Sequence, residues 1–193
     1  MVRFFLPLLL IGSLQFSARA QKTPPGADVR TQKSPTHADF PSPEEFVNAV
    51  FPAIVDGSLD HYYLVAGTDS CRFLKYNYDE WVKYHLLEPL PFRVLNELAE
   101  KVYLSRYPYF WKQARLKKAI CITRHQADSI LAAKSDYIFS FSLPQFTDDG
   151  QFGVIDLNLV CGPECGKSVT CIFRLTATGD WKLVGEDTNW DTR

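Results

Sequence analysis

From Phe40 onward the apolar and polar positions divide the chain into a helical front and a strand-rich back. Ser42-Pro43-Glu44-Glu45 is a helix start, with a hydroxyl to cap free amides, Pro in the first turn and Glu three residues after the cap. Val47, Val50, Phe51 and Ile54 then recur at helical spacing. Pro52 lacks an amide, so the helix is expected to end or bend near Asn48 to Phe51, and Asp56-Gly57 closes it. Tyr62 to Ala66 is aromatic and β-branched and predicts a strand, as does Cys71 to Tyr76. Pro91 opens a longer helix with a stripe of Leu95, Leu98, Ala99 and Val102, and Glu97 and Lys101 are spaced to pair at i, i+4 on its outer face. Leu116 to Thr123 reads as a strand and Gln126 to Ala133 as a short helix carrying Ile130 and Leu131.

The last sixty residues are more regular. Tyr137 to Ser142, Phe152 to Val160, Ser168 to Leu175 and Asp180 to Glu186 are strand-like runs joined at Asp148-Asp149-Gly150, Cys161 to Lys167 and Thr178-Gly179, which predicts an antiparallel meander. With Val160 opposite Ser168, Leu157 faces Cys171. Ile155, Leu157, Leu159, Cys171, Phe173 and Leu175 then share one face, and Asp156, Asn158 and Arg174 the other. The expected class is α+β: a curved antiparallel sheet, with this four-strand meander at its C-terminal end and helices packed on one face.

The first thirty-nine residues follow a different pattern. Arg3 precedes the apolar run Phe4 to Ile11, and Ala18-Arg19-Ala20 is a small-x-small pattern before Gln21, which predicts a signal peptide over residues 1–20 cleaved near Ala20. The run is too short to span a bilayer, and no transmembrane segment is expected in the mature chain. Residues 21–39 hold one strongly apolar side chain, Val29, and predict a disordered linker. Residues 40–193 form a single domain of 154 residues, long enough to bury roughly 70% of the unfolded surface. The expected location is secreted or periplasmic.

Composition adds an exclusion. The chain is 46% hydrophobic and 22% charged, as in an ordinary globular protein. Its 21 basic and 22 acidic side chains become 19 and 22 once Arg3 and Arg19 are removed with residues 1–20, a net charge of −3. A surface built on phosphate contacts carries a basic excess, so no nucleic-acid partner is expected. Lys112, Arg115, Lys117 and Lys118, interrupted by Ala114 and Leu116, read as a solvated strand edge, with an anion-binding patch as the less favoured alternative.

Candidate chemistry concentrates in Cys161-Gly162-Pro163-Glu164-Cys165-Gly166. The Cys-x-x-x-Cys spacing followed by a strand is not the Cys-x-x-Cys at a helix N-terminus that lowers a thiol pKa. A structural disulfide between Cys161 and Cys165 is therefore preferred to thiol–disulfide exchange or metal binding. Five cysteines cannot all pair within one chain: Cys171 falls on the core face and is nominated as free, leaving Cys71 and Cys121 able to bridge. Zinc would need two ligands beyond Cys161 and Cys165, so no metal site and no cofactor is expected. His125 and Asp128, three apart, are a weak pair for hydrolysis. Tyr107, Tyr109 and Trp111, with Tyr103 and Phe110, could line a ligand pocket or a core.

Ser142-Leu143-Pro144-Gln145-Phe146, the two-Cys-Gly loop, Gly179-Asp180-Trp181-Lys182 and Trp190, in that order, resemble a broad group of uncharacterised exported bacterial proteins. These have a Ser-x-Pro-x-Phe strand, a Cys-Gly and Cys-Gly loop, and a Gly-x-Trp-Lys hairpin. The resemblance covers about the last third of the chain. It implies a secreted α+β domain and transfers no catalytic residue. The chain departs from the group at Lys167-Ser168, where further Gly is common, and at its Asp191-Thr192-Arg193 end. The expectation is a non-catalytic exported domain that binds a small molecule, an envelope component or a protein partner. A thiol oxidoreductase or a hydrolase is the alternative.

Overall fold

The computed structural model describes residues 40–55, 59–73, 78–105, 108–133, 137–162 and 165–190. The leader and linker predicted for residues 1–39 lie outside them. Helix α1 (Pro43–Ile54) begins as its sequence dictates. The Ser42 hydroxyl accepts from the Glu45 amide, and the Glu45 carboxylate accepts from the Ser42 amide at 2.7 Å. It does not stop before Pro52, which sits in the last turn, where the lost amide deprives only the Asn48 carbonyl.

The remaining elements are β1 (Tyr62–Val65), α2 (Tyr78–Tyr84), α3 (Phe92–Leu104), a 3-10 turn at Gln113–Arg115, β2 (Ala119–Ile122), α4 (Arg124–Ala132), β3 (Ile138–Phe141), β4 (Gln145–Phe146), β5 (Phe152–Gly162), β6 (Cys165–Leu175) and β7 (Trp181–Trp190). Seven strands make one open sheet in the order β2-β1-β3-β5-β6-β7, with β4 paired to β5 off that path. No helix among the described residues is long and apolar enough to cross a membrane.

The class is α+β, but two expectations are corrected. The sheet is mixed: β3, β5, β6 and β7 form the antiparallel meander, whereas β1 runs parallel to both β2 and β3. Helices between those strands return the chain to the same end of the sheet before the next strand starts, which is what parallel pairing requires. Helices also cover both faces. Phe46, Val47, Val50 and Phe51 of α1 pack with Tyr62, Leu64, Phe139, Ile155, Leu157, Cys171 and Phe173. Val94, Leu95 and Leu98 of α3, with Trp81 of α2, pack with Val154, Ile172 and Val184. Neighbours such as Val154 and Ile155 point to opposite sides of a strand, so the two clusters lie on opposite faces. Ala127 of α4 joins Ile122 and Ile138 on the α3 side.

Local corrections follow from the same ladders. Cys71 to Phe73 form no strand, and residues 74–77 lie outside the described set. β5 and β6 run through most of the predicted Cys161 to Lys167 loop, pairing Gly162 with Cys165, so Ile155 and not Leu157 faces Cys171. Lys101 of α3 pairs with Asp148 at 2.5 Å, and Glu97 accepts from the Asp148 amide. The helix therefore pins the Asp148–Gly150 turn, where Gly150 has φ +65°.

Candidate functional site

The β2–β1 end of the sheet holds a cavity of about 120 Å³ between α1 and the strands, lined by Asn48, Phe51, Pro52, Leu59, Tyr62, Lys117 and Lys118. Parallel pairing creates it: Tyr62 aligns with Ala119, and the Tyr62 amide donates to the Lys118 carbonyl at 3.0 Å. This sets the Lys117-Lys118 corner beside the Tyr62 ring. That ring stacks on Phe51 with centroids 4.1 Å apart. Asn48 fixes the corner with both ends of its amide, donating to the Arg115 carbonyl at 2.8 Å and accepting from the Lys117 amide at 2.7 Å. Lys118 takes φ +63°, a left-handed conformation costly for a side chain with a Cβ, and its ammonium donates to the Leu59 carbonyl at 2.9 Å.

Polar satisfaction is incomplete at this end. The Tyr62 hydroxyl has no hydrogen-bond partner among the described residues although Tyr62 is 3% exposed. Burial, then the Cys121 thiol, raises its pKa, so the hydroxyl stays protonated and can donate. In the same core Glu44 is fully buried. One carboxylate oxygen accepts from the Tyr109 hydroxyl at 2.7 Å and the Lys112 amide at 3.0 Å; the other has no partner, and neither has Trp111 Nε1. Burial pushes the Glu44 carboxyl up, but hydrogen bonds from the Lys112 amide, the Tyr109 hydroxyl and its own amide bring it below its ordinary value. Burial and then the Glu44 bond push Tyr109 up to about 12.

A second buried carboxylate, Asp156 on β5, lies on the opposite face. It accepts from the Arg72 amide, from the Thr170 hydroxyl at 2.8 Å and from the Cys71 thiol at 3.3 Å, and its own amide donates to the Ser142 hydroxyl at 2.9 Å. Burial nevertheless raises its pKa, outweighing those donors. Beside it Asp69 accepts from Arg124 at 3.0 Å, from Asn158 at 3.2 Å and from Ser140. The two carboxylates tie the segment after β1 across β3, β5 and β6.

The cysteine expectation is corrected here. Cys71 and Cys121 are free thiols, as is the buried Cys171. Cys71 packs on the α3 side and bonds to Asp156 of β5, whereas Cys121 packs on the α1 side of β2, three strands away. That separation far exceeds disulfide reach, at about 4.8 Å per strand. Burial raises the pKa of all three thiols, aided by Asp156 at Cys71, Glu44 at Cys121 and Glu186 at Cys171. Each therefore stays protonated and is a poor nucleophile. The side chains of Cys161 and Cys165 lie outside the described residues. No group of three or more His, Cys, Asp and Glu side chains among the described residues could hold a metal ion.

His125 and Asp128 are both exposed on α4, and no hydrogen bond or ion pair joins them. Tyr107 lies outside the described residues. Tyr109 and Trp111 do not line the cavity beside Tyr62: their rings meet edge to face at 5.5 Å beneath α1 and wall in Glu44. Sequence reasoning missed Tyr62 and Glu44, and it read Lys117 and Lys118 first as a solvated edge and only second as part of an anion-binding patch. The only available signals were the basic run at 112–118 and an acidic residue on a helix face otherwise marked as core.

These features define an α+β domain with an open mixed sheet and a small, donor-lined cavity at its parallel edge. Compared with protein-family models, curated proteins and solved structures, the chain matches none of them.

Proposed function

We propose that this chain is an exported, non-catalytic domain that binds a small ligand in the cavity between α1 and the β1–β2 edge. The observation that carries the reading is a cavity of about 120 Å³ in which Lys117 and Lys118 stand beside a wall of Phe51, Pro52, Leu59 and the Tyr62 ring. Phe51, Pro52 and Leu59 supply the apolar contact that holds a small molecule, and few convergent polar groups orient it, as ligand sites require. Arg3, the run Phe4 to Ile11 and Ala18-Arg19-Ala20 support export, and so does the resemblance carried by the C-terminal motifs. Of the candidates the sequence offered for thiol or hydrolytic catalysis, the described thiols are protonated, and no hydrogen bond or ion pair joins His125 to Asp128.

A titration of the purified chain with benzyl alcohol, followed by amide chemical shifts, tests the reading. Saturable shifts are expected at Asn48, Leu59, Tyr62, Lys117 and Lys118, and should vanish in Leu59→Trp, which fills the cavity. Shifts that never saturate, or that persist in a folded Leu59→Trp variant, would refute it.

A further inference from the structure

The geometry points to a small carboxylate carrying one ring or one short branched chain as the ligand class of this cavity, an inference that rests on the cavity being a ligand site. Size sets the first limit. A volume of about 120 Å³ is close to the roughly 150 Å³ engineered apolar cavity that accepts benzene, so one six-membered ring or a branched chain of similar bulk fills it.

The polar inventory sets the second limit. Of the lining residues, Asn48 has its oxygen and its nitrogen both committed to backbone partners. Phe51, Pro52 and Leu59 offer no polar side-chain atom. Tyr62 contributes its ring, for its hydroxyl is buried away from solvent. What remains is two ammonium groups, those of Lys117 and Lys118; the latter uses one of its three protons on the Leu59 carbonyl. Among the described residues no carboxylate lines the cavity. Asp60 follows Leu59 but is exposed and is not part of the wall.

Every charge that the described residues bring to the wall is therefore positive. A ligand that presents only donors, or a cation, would meet unmatched protons. A carboxylate accepts from both ammonium groups, while its ring lies on the Phe51 side of the wall. Inorganic phosphate matches the charge but would leave the apolar wall uncovered and lose its hydration to it.

The test uses three probes with one ring and different heads: benzoate, benzyl alcohol and benzylamine, titrated into the full chain by calorimetry at low salt. Benzoate is expected to bind about tenfold tighter than benzyl alcohol, with benzylamine weakest, and rising salt should narrow the gap. Lys117→Gln is exposed and should fold normally. It is expected to weaken benzoate about threefold without changing benzyl alcohol, and Lys117→Gln with Lys118→Gln should erase the preference. Equal affinities, or a preference for benzylamine, would overturn the carboxylate assignment and leave the cavity reading standing. Failure of all three to bind would overturn both.

Discussion

Glu44 and Asp156 are two carboxylates with almost no solvent exposure, one on each face of the same sheet, and they are treated differently. Asp156 receives three donors from two separate segments, Cys71-Arg72 and Thr170, and both its oxygens are bonded. Glu44 sits in the first turn of α1, where the free helix amides favour an anion, yet keeps one oxygen without a partner. Its neighbours repeat the pattern, since Trp111 and Tyr62 each retain an unmatched polar atom in the same core. Polar groups around Asp156 serve as bracing that locks the segment after β1 to the sheet. At the parallel edge, unmatched donors, a left-handed Lys118 and a cavity occur together. The proposed ligand site lies at this end of the fold, where several buried polar groups lack partners among the described residues.

The comparison breaks most visibly at Asp156. Asp156→Ala would leave an amide, a hydroxyl and a thiol without their acceptor, and should cost about 3 kcal/mol or more in urea unfolding. A loss under about 1 kcal/mol would show that the bracket does not hold the fold.

Glu44→Gln comes next, with an expected loss of about 1–2 kcal/mol at neutral pH, because the Tyr109 and Lys112 donors keep an acceptor but lose its charge. Acid sharpens the contrast, for the two groups have opposite linkage. The folded pKa of Glu44 lies below its ordinary 4.5, so its contribution is complete above that value and is lost as pH falls through the folded pKa. The folded pKa of Asp156 lies above its ordinary 3.8, so its contribution is complete below 3.8 and is lost as pH rises through the folded pKa. Stability measured against pH should thus lose part of its acid-side decline in Glu44→Gln and part of its decline on the rising-pH side in Asp156→Asn. Identical profile changes in the two variants would contradict the distinction.

The smallest effect is expected from Tyr62→Phe. Removing a hydroxyl that makes no protein hydrogen bond should change stability by no more than about 0.5 kcal/mol, or raise it slightly. A large loss of stability would mean that the hydroxyl is structurally engaged.

Which parts of this were legible in sequence follows the range of the interactions. The α1 cap and the α3 stripe are local, and the structure contains both. The faces of β5 and β6 were also legible. The hairpin register differs from expectation by two residues, and because side chains alternate with period two, Ile155, Leu157 and Cys171 stay on the core side. Gly162, Pro163 and Gly166 suggested a longer loop, but the ladder continues to Gly162 and Cys165. Helix α2 was hidden because a seven-residue segment whose only side chain in the core cluster is Trp81 gives no periodicity. Parallel pairing of β1 with β2 has no local signature at all, and it alone brings Tyr62 to Lys117 and Lys118, which stand 55 and 56 positions further along the chain. The basic run at 112–118 was visible as charge, while its role as one wall of a cavity depends on α1 lying across it.

A crystal structure of the full chain grown with benzoate tests the central claim most directly. The ring should lie against Phe51 and Leu59, with carboxylate oxygens about 3 Å from the ammonium of Lys117 or Lys118. Benzoate found only elsewhere on the chain, or the cavity closed, would contradict it.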